Sequence, residues 1–305
     1  MTIADKLNYL NETKQAIKQA IIDKGVEVSE TDTFRSYAGK VGEISGGGGS
    51  LYGATFTDLF GEVDENGKLN SSTDQVNLVF DGINDIGDYV FYQKYVYNKT
   101  FPYSVSFPDL IKVTGKYACS YMCNYNKVVT EIDLKNLTSV EGDYSCESMF
   151  ANCENITSVD LSGLKNIKGL SGCSNMFQKC TYLESVNLSN LESVTSQTGC
   201  NYMFSQCKNL KILTFNSLRK VTSYRGLCGM LRYSGVETVN FPSLTSNDTE
   251  YSIISSAFYG LLEGVTGCTV HFPSNLESVI GSWSDVVGGF GGTNTVVLFD
   301  LPATE

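Results

Sequence analysis

Apolar residues recur in one spaced pattern over most of the chain. The pattern is apolar-x-apolar-x-x-apolar-x-x-apolar, and its copies begin at Leu78, Val105, Ile132, Val159, Val186, Leu213, Val239 and Val270. The first five steps between copies are each 27 residues long, and the last two are 26 and 31. A period in the twenties, with alternating apolar and polar residues at the start of each unit, predicts a solenoid. In such a fold every coil adds one short strand to a parallel sheet.

A column of methionines supports the same register. These residues, again 27 positions apart, are Met122, Met149, Met176, Met203 and Met230. Phenylalanine follows directly in three of the five copies. We expect these Met-Phe segments to form short helices or turns on the side of the coil opposite the sheet, where Met and Phe insert between layers. One coil cannot bury its own apolar face, so about eight stacked coils are expected to share a core.

The first 44 residues show helical periodicity instead. Apolar residues at steps of three and four predict one helix that runs to about Lys24, and Gly25 ends it. A second helix follows, with Ser29 and Thr31 as candidate N-caps. The candidate attachment or oligomerisation residues of this two-helix module are Ile3, Leu7, Leu10, Ile17, Ile21, Phe34 and Tyr37.

The sequence therefore predicts an α+β chain with a parallel sheet on one face of a solenoid and short helices or turns on the other. Glycines 46–49 are predicted to form a flexible tether, and Asn66-Gly67 is typical of a tight hairpin turn. The predicted parts are a helical attachment module (1–44), a linker (45–50), a β-hairpin cap (51–77), the solenoid of about eight repeats (78–282) and a C-terminal cap (283–305).

The charge balance restricts the class of partner. The chain has 22 Lys and Arg residues against 33 Asp and Glu residues, a formal net charge of −11. A nucleic acid backbone or an anionic membrane surface is repelled on balance, so we expect no nucleic acid partner. No apolar window approaches the length of a membrane span, and Met1–Asp5 lacks the basic start and apolar run of a secretion signal. We therefore expect a soluble product made in the cytoplasm.

The ten cysteines recur with the repeat. Cys146 and Cys153 form one pair, and equivalent pairs follow in the next two coils, each with six residues between its members. Zinc sites use tighter spacing, so columns of buried free thiols are the better interpretation. His271 is the only histidine, which excludes a site built from several histidines. We expect no metal, no cofactor and no catalytic residue.

Polar residues at the outward positions of the predicted strands form a candidate binding face. Its residues are Glu131, Asp133, Asp160, Asn187, Thr214, Asn240 and His271. Small polar side chains suit a carbohydrate or a protein loop. Paired carboxylates about 5–9 Å apart also serve glycosidases, but every solenoid needs a solvated polar face, which makes catalysis the weaker hypothesis.

The repeats resemble the BspA-like leucine-rich repeats of bacterial surface antigens. The resemblance lies in Phe150-x-x-Cys153-x-x-Ile156-x-x-Val159-x-Leu161 with its continuation to Ile167, and in the sister copies. It implies a leucine-rich-repeat solenoid. Leucine replaces the asparagine or cysteine that follows the strand in standard repeats, at Leu137, Leu164, Leu191, Leu218 and Leu244.

The N-terminal stretch resembles a module of phage and prophage structural proteins from gut bacteria. It comprises Ala4-Asp5-Lys6-Leu7-x-Tyr9-Leu10-x-Glu12-Thr13-Lys14 and Asp32-Thr33-Phe34-Arg35-x-Tyr37. The resemblance implies docking on other virion proteins, with the repeats displayed towards a host-surface protein or glycan. The resulting hypothesis is a non-enzymatic head or tail fibre or decoration protein of the virion. A bacterial cell-surface adhesin is the alternative, and a glycan-active enzyme is less favoured. The apolar stripe of the module predicts either a homotrimer or packing onto the second helix.

Overall fold

A computed structural model gives the fold. The residues that the structure describes are 3–23, 28–29, 77–80, 82–93, 102–221, 224–245, 257–277 and 291–303. The second predicted helix with Phe34 and Tyr37, the linker and the hairpin cap up to residue 76 lie outside them. Only one helix of the predicted pair is therefore observed.

That helix, α1, spans Ile3–Asp23 and agrees with the predicted end near Lys24. The side chains of Ile3, Leu7 and Leu10 lie outside the described ones. At the far end of the stripe Ile21 is 1% exposed and packs with Val28, and the half-buried Ile17 contacts the same cluster. Val28 thus covers this end of the apolar stripe. Oligomerisation through the module stays a prediction.

Short strands dominate the rest of the described chain. They are β1 (Asn77–Val79), β2 (Asp85–Ile86), β3 (Ser104–Ser106), β4 (Lys112–Val113), β5 (Glu131–Asp133), β6 (Ser139–Val140), β7 (Ser158–Asp160), β8 (Asn166–Ile167), β9 (Ser185–Asn187), β10 (Ser193–Val194), β11 (Ile212–Thr214), β12 (Lys220–Val221), β13 (Thr238–Asn240), β14 (Thr269–Pro273) and β15 (Val296–Leu301). A 3-10 helix at Ser274–Leu276 follows β14.

The longer strands form the predicted parallel face. Their hydrogen-bonded orders are β1-β3-β5-β7-β9 and β11-β13-β14-β15, and β9 lies beside β11. The register places Val105 opposite Ile132 and Val159 opposite Val186, as a 27-residue coil requires. We call this surface the strand face. Its last strand, β15, lies within the predicted C-terminal cap and is one strand more than the eight copies predicted.

A second parallel sheet was not predicted. The two-residue strands β2, β4, β6, β8, β10 and β12 stack into it in that order. Between the sheets each coil turns sharply, and the backbone N–H of Leu164 donates to the carbonyl of Leu161 at 2.9 Å. Leu164 is buried, as is Leu137 one coil earlier. The leucine that replaces the usual asparagine therefore packs into the core at this corner.

The Met-Phe segments were predicted to form short helices or turns. In these coils they form successive turns. We call this surface, at the described residues 89–93, 117–126, 144–153, 171–180, 198–207, 225–234 and 257–264, the turn face. Alternate N–H groups have different partners: that of Ser148 donates to Ser174 of the next coil, and that of Met149 donates to Cys146 of its own turn. Each turn thereby satisfies its backbone donors without a helix.

The core continues from coil to coil as columns of like residues. The rings of Phe150, Phe177 and Phe204 stack behind the turn face with centroids 5.6 and 5.8 Å apart. Phe241 and Phe272 stack behind the strand face at 5.3 Å. All five methionines of the predicted column are buried. These columns confirm the predicted stacking, since each coil completes the interior of its neighbour.

All ten cysteines are buried and free, as the columns predicted. The thiol of Cys153 donates to the carbonyl of Cys123 at 3.1 Å, and that of Cys180 donates to the carbonyl of Phe150 at 3.3 Å. Burial raises the pKa of Cys207 to about 12, which disfavours the reactive thiolate. Among the described residues no group of three or more His, Cys, Asp or Glu side chains is arranged to hold a metal ion.

None of the helices in the described part of the chain is both long enough and apolar enough to cross a membrane.

Candidate functional site

The predicted binding residues lie side by side on the strand face. Asp133 is opposite Asp160, which is opposite Asn187. Asn240 likewise lies between Thr214 and His271. Glu131 projects from the same strand as Asp133, two residues earlier. The predicted residues thus form a polar column in two paired runs, one on β5, β7 and β9 and one on β11, β13 and β14, and their role in binding stays a prediction.

Part of this polar column supports the fold. The carboxylate of Asp160 accepts a hydrogen bond from the backbone N–H of Ser162 at 3.0 Å, and Asn187 accepts one from Ser189 at 3.2 Å. Asp133 accepts the equivalent bond from Lys135 at 3.3 Å. Such bonds hold the turn that follows each strand. These side chains would be needed even without a ligand.

The same contacts weaken the glycosidase hypothesis. Asp133 and Asp160 are on adjacent strands, but they perform the same task in successive coils. Asp133 also lies 3.6 Å from the ammonium group of Lys135. A glycosidase needs two carboxyl groups in different surroundings, one acting as acid and the other as base or nucleophile. The contact that Asp133 and Asp160 share, a backbone hydrogen bond from the turn after each strand, is explained by the repeat and does not assign an acid and a base.

The C-terminal part of the column contains further pairs. The amide of Asn240 donates to the hydroxyl of Thr214 at 2.9 Å. The Nδ1 atom of His271 lies 2.8 Å from one carboxylate oxygen of Asp300 and 3.0 Å from the other. Sequence reasoning missed Asp300, although it follows His271 by 29 residues, about one coil. This pair links the last two strands.

The turn face carries a second candidate surface, which the sequence analysis did not identify. Sixteen of its non-glycine residues have positive φ, and seven of the sixteen are tyrosine. They recur at every fourth position and fall into three columns. The columns are Tyr89, Tyr117, Tyr144, Ser171, Thr198 and Arg225; Gln93, Tyr121, Ser148, Asn175 and Tyr202; and Tyr125, Asn152, Lys179, Gln206 and Tyr233.

Tyrosine is an unexpected residue in this backbone conformation. The left-handed region costs an L-residue roughly 1–2 kcal/mol, and glycine or asparagine is the usual solution. Glycine does occupy the second and third columns further along, at Gly229 and Gly264. The tyrosines therefore carry a backbone cost that glycine at the same position would avoid. Strain of this kind is often concentrated at functional sites.

Near the N-terminal end of the turn face the tyrosines contact one another. Tyr117 stacks on Tyr144 with centroids 5.0 Å apart and planes 8° from parallel, and Tyr89 stacks on its other side at 5.4 Å. Tyr92 and Tyr121 add edge contacts. Burial is the first cause of the raised pKa values of Tyr117 and Tyr121. The ring faces in this cluster are therefore largely occupied by contacts with other tyrosines.

Further along, two tyrosines lie over glycines instead. A Cβ atom at Gly229 would overlap the ring of Tyr202, and one at Gly264 would overlap the ring of Tyr233. Each glycine thus makes room for the aromatic ring of the preceding coil. Here the rings are not stacked on a further tyrosine of their own column.

These two rings border an open pocket of about 380 Å³. Its lining residues are Gln178, Tyr202, Ser205, Gln206, Arg232 and Tyr233. The Arg232 guanidinium lies 5.8 Å from the centroid of Tyr202 and 5.0 Å from that of Tyr233, and it bonds Glu263 at 2.6 Å. The side-chain contact with Tyr233, and then that with Tyr202, raises the pKa of Arg232. The pocket combines two aromatic rings, two amides and a cation.

The repeats can now be assigned to a family. A model of the BspA type leucine-rich repeat region matches residues 70–225 and 114–261. The chain belongs to the BspA-type leucine-rich repeat family. Leucine-rich-repeat solenoids typically serve as non-enzymatic binding scaffolds. The match begins at residue 70, so the phage-like character of the N-terminal module stays a prediction. No curated protein matches the chain.

Proposed function

We propose that this BspA-type repeat protein is a non-enzymatic scaffold that binds a host-surface or environmental ligand through its outward surfaces. One observation carries the proposal. In the described coils the apolar columns fill the interior, and polar and aromatic side chains repeat outward on the strand and turn faces. Repetition at the coil spacing builds extended surfaces, which suit the recognition of large or repeated ligands.

The finer proposal places the chain in a virion. Residues 1–44 dock on other virion proteins of the head or tail, and the glycine-rich linker gives the repeats reach. The likeness of Ala4–Lys14 to phage structural modules supports this role. The partner of the repeats is then a host-surface protein or glycan.

The family favours a second candidate, a bacterial cell-surface adhesin. BspA-type repeats resemble those of bacterial surface antigens, and such a protein would use the same outward faces. The two candidates therefore differ in where the chain resides and agree on how it binds.

The two candidates can be distinguished in one culture that makes the protein. Phage particles and cell envelopes are purified from it separately. The protein is measured in both fractions by quantitative mass spectrometry and by immunoblotting with an antibody against the repeats. We expect the full chain in the particles, in constant ratio to the major capsid protein. Enrichment in envelopes from cells that release no particles would contradict the virion proposal and support the adhesin. A non-structural phage enzyme serves as the control for carry-over.

A further inference from the structure

We infer that the turn-face pocket at Tyr202, Arg232 and Tyr233 binds a neutral oligosaccharide. This inference rests on the proposed function, because it names the ligand class of a binding scaffold. It also moves the principal contact from the strand face, where the sequence placed it, to the turn face.

The tyrosines supply the apolar part of the recognition. Tyr233 is 41% exposed and Tyr202 is half-buried, so both rings are accessible from the pocket. Gly229 and Gly264 lie beneath the rings and have no side chain to displace them. A sugar ring has an apolar C–H surface that packs on an aromatic ring, and a tyrosine hydroxyl at the edge can bond a sugar hydroxyl.

Planar polar groups supply the rest. Gln178 and Gln206 each bring one side-chain amide, which both donates and accepts hydrogen bonds. Ser205 also lines the pocket. Sugar hydroxyls are also donors and acceptors at once, so amides match them better than purely charged groups do. Small-ligand sites commonly combine apolar walls with a few placed polar groups.

The charge balance favours a neutral saccharide over an acidic one. Glu263 bonds the Arg232 guanidinium directly, and the ammonium of Lys208 bonds the carbonyl of Tyr233. The cation nearest the rings is therefore already paired. The net charge of −11 also disfavours an anionic ligand at long range.

The backbone gives independent support. Tyr202 and Tyr233 have φ of 54°, where the next coil uses Gly229 and Gly264 at φ of 58° and 72°. The fold accepts glycine at these columns, so tyrosine is not required for the turn itself. Positive φ recurs through all three columns, so what distinguishes these two positions is a large aromatic ring beside a pocket, a combination that fits a binding role.

The test uses the purified full chain and an immobilised panel of neutral oligosaccharides of glucose, galactose, mannose and N-acetylglucosamine. A matched panel contains uronic acids or sialic acid. The strongest neutral ligand is then titrated by calorimetry against wild type, Tyr202→Ala, Tyr233→Ala and Tyr233→Phe. Tyr125→Ala is the matched control, because Tyr125 shares the column of Tyr233, has positive φ and is 55% exposed, yet lies outside the pocket lining.

We expect a neutral oligosaccharide to bind, and each alanine variant in the pocket to weaken binding roughly tenfold or more, as for a central aromatic contact. Tyr233→Phe should retain most of the affinity because it keeps the ring, and Tyr125→Ala should bind as wild type does. Circular dichroism melts confirm that the variants are folded. Should an alanine variant fail to fold, Gly264→Ala, which displaces the Tyr233 ring, replaces it.

Three results overturn the inference. They are absence of binding to every neutral saccharide, binding confined to acidic ones, and loss of binding in Asp160→Ala while Tyr233→Ala binds normally. The last result relocates the ligand to the strand face and leaves the proposed scaffold function intact. Capture of a host protein without saccharide binding likewise sinks only this inference. Shortening of the saccharide by the wild-type chain would instead contradict the non-enzymatic function.

Discussion

The strand face and the turn face belong to the same coils but meet different backbone demands. On the strand face, short polar residues follow the alternation of a parallel sheet, and Asp160 and Asn187 bond the turn that follows them. On the turn face, Tyr125 and Tyr233 occupy a conformation that suits glycine. The polar strand residues are explained by the fold, whereas the strained tyrosines are not. Surface chemistry that the fold does not require is the better guide to a ligand.

The largest expected effect concerns the corner that leads into the turn face. A Cβ at Gly142 would overlap the carbonyl of Gly115 in the preceding coil, and Gly169 repeats this contact in the next one. Gly142→Ala should therefore push coils apart and lower the free energy of unfolding by about 2–3 kcal/mol. Urea unfolding followed by circular dichroism measures the loss.

Gly163→Ala is the control at the strand-face corner. A Cβ there would also overlap a carbonyl, that of Lys135. The equivalent positions in both adjacent coils, however, hold Asn136 and Asn190, so small backbone shifts already accommodate a side chain. The loss should be clearly smaller than for Gly142→Ala. Equal losses would mean that both corners are packed alike.

A pair of substitutions at one site isolates the backbone strain of the turn face. Tyr125→Ala and Tyr125→Gly remove the same ring contacts, but only alanine keeps a Cβ at φ of 62°. The glycine variant should be the more stable by about 1 kcal/mol. At Ser185, exposed in β9, the order should reverse, with glycine less stable than alanine by about 0.5–1 kcal/mol. The same order at both sites would remove the distinction between the faces.

The structural task of the strand-face acids can be tested at Asp160. Asp160→Ala removes the acceptor for the backbone N–H of Ser162, and about 1 kcal/mol of stability should be lost. Asp160→Asn keeps an oxygen acceptor, as Asn187 does one coil later, and should stay close to wild type. Thermal melts of the two variants decide the matter. A wild-type melting temperature for the alanine variant would show that the bond contributes nothing.

The sequence predicted the strand face because the apolar residues that set the repeat period are the same residues whose side chains point inward from the strands. Val105, Ile132 and Val159 begin successive copies, and they lie at the centres of β3, β5 and β7. The second sheet escaped prediction because a two-residue strand such as Ser139–Val140 is too short to show alternation. Its only signal was the fourth apolar residue of each copy.

The turn-face pocket escaped prediction for another reason. Propensity assigns positive φ to glycine and asparagine, so tyrosines in that conformation give no ordinary turn signal. The four-residue spacing of Tyr117, Tyr121 and Tyr125 was the available signal. The Arg232–Glu263 bond also spans 31 residues, at the irregular step of the repeat, where the 27-residue register no longer identifies neighbours.

The smallest expected effect is a difference in how two glutamates change stability with pH, because their pKa values are shifted in opposite directions. Burial raises the pKa of Glu147, on the turn face, above its ordinary value of 4.5. Hydrogen bonds from Lys168 and then Ser139 lower that of Glu141, beside the second sheet. The contribution of Glu147 to the free energy of unfolding is therefore full below about pH 4.5 and is lost as pH rises through its folded pKa. That of Glu141 is present above the unfolded pKa and is lost as pH falls through its folded pKa.

Glu147→Gln should therefore raise the melting temperature at pH 7 and leave it unchanged at acid pH, because it removes a carboxylate that burial disfavours. Glu141→Gln should lower the melting temperature slightly at pH 7, since its exposed ion pair with Lys168 is weak, and should have no effect once the carboxyl is protonated. Melts of both variants from pH 3 to pH 8 check the opposite slopes. Parallel slopes would show that the turn face buries its carboxyl group no more than the neighbouring surface does.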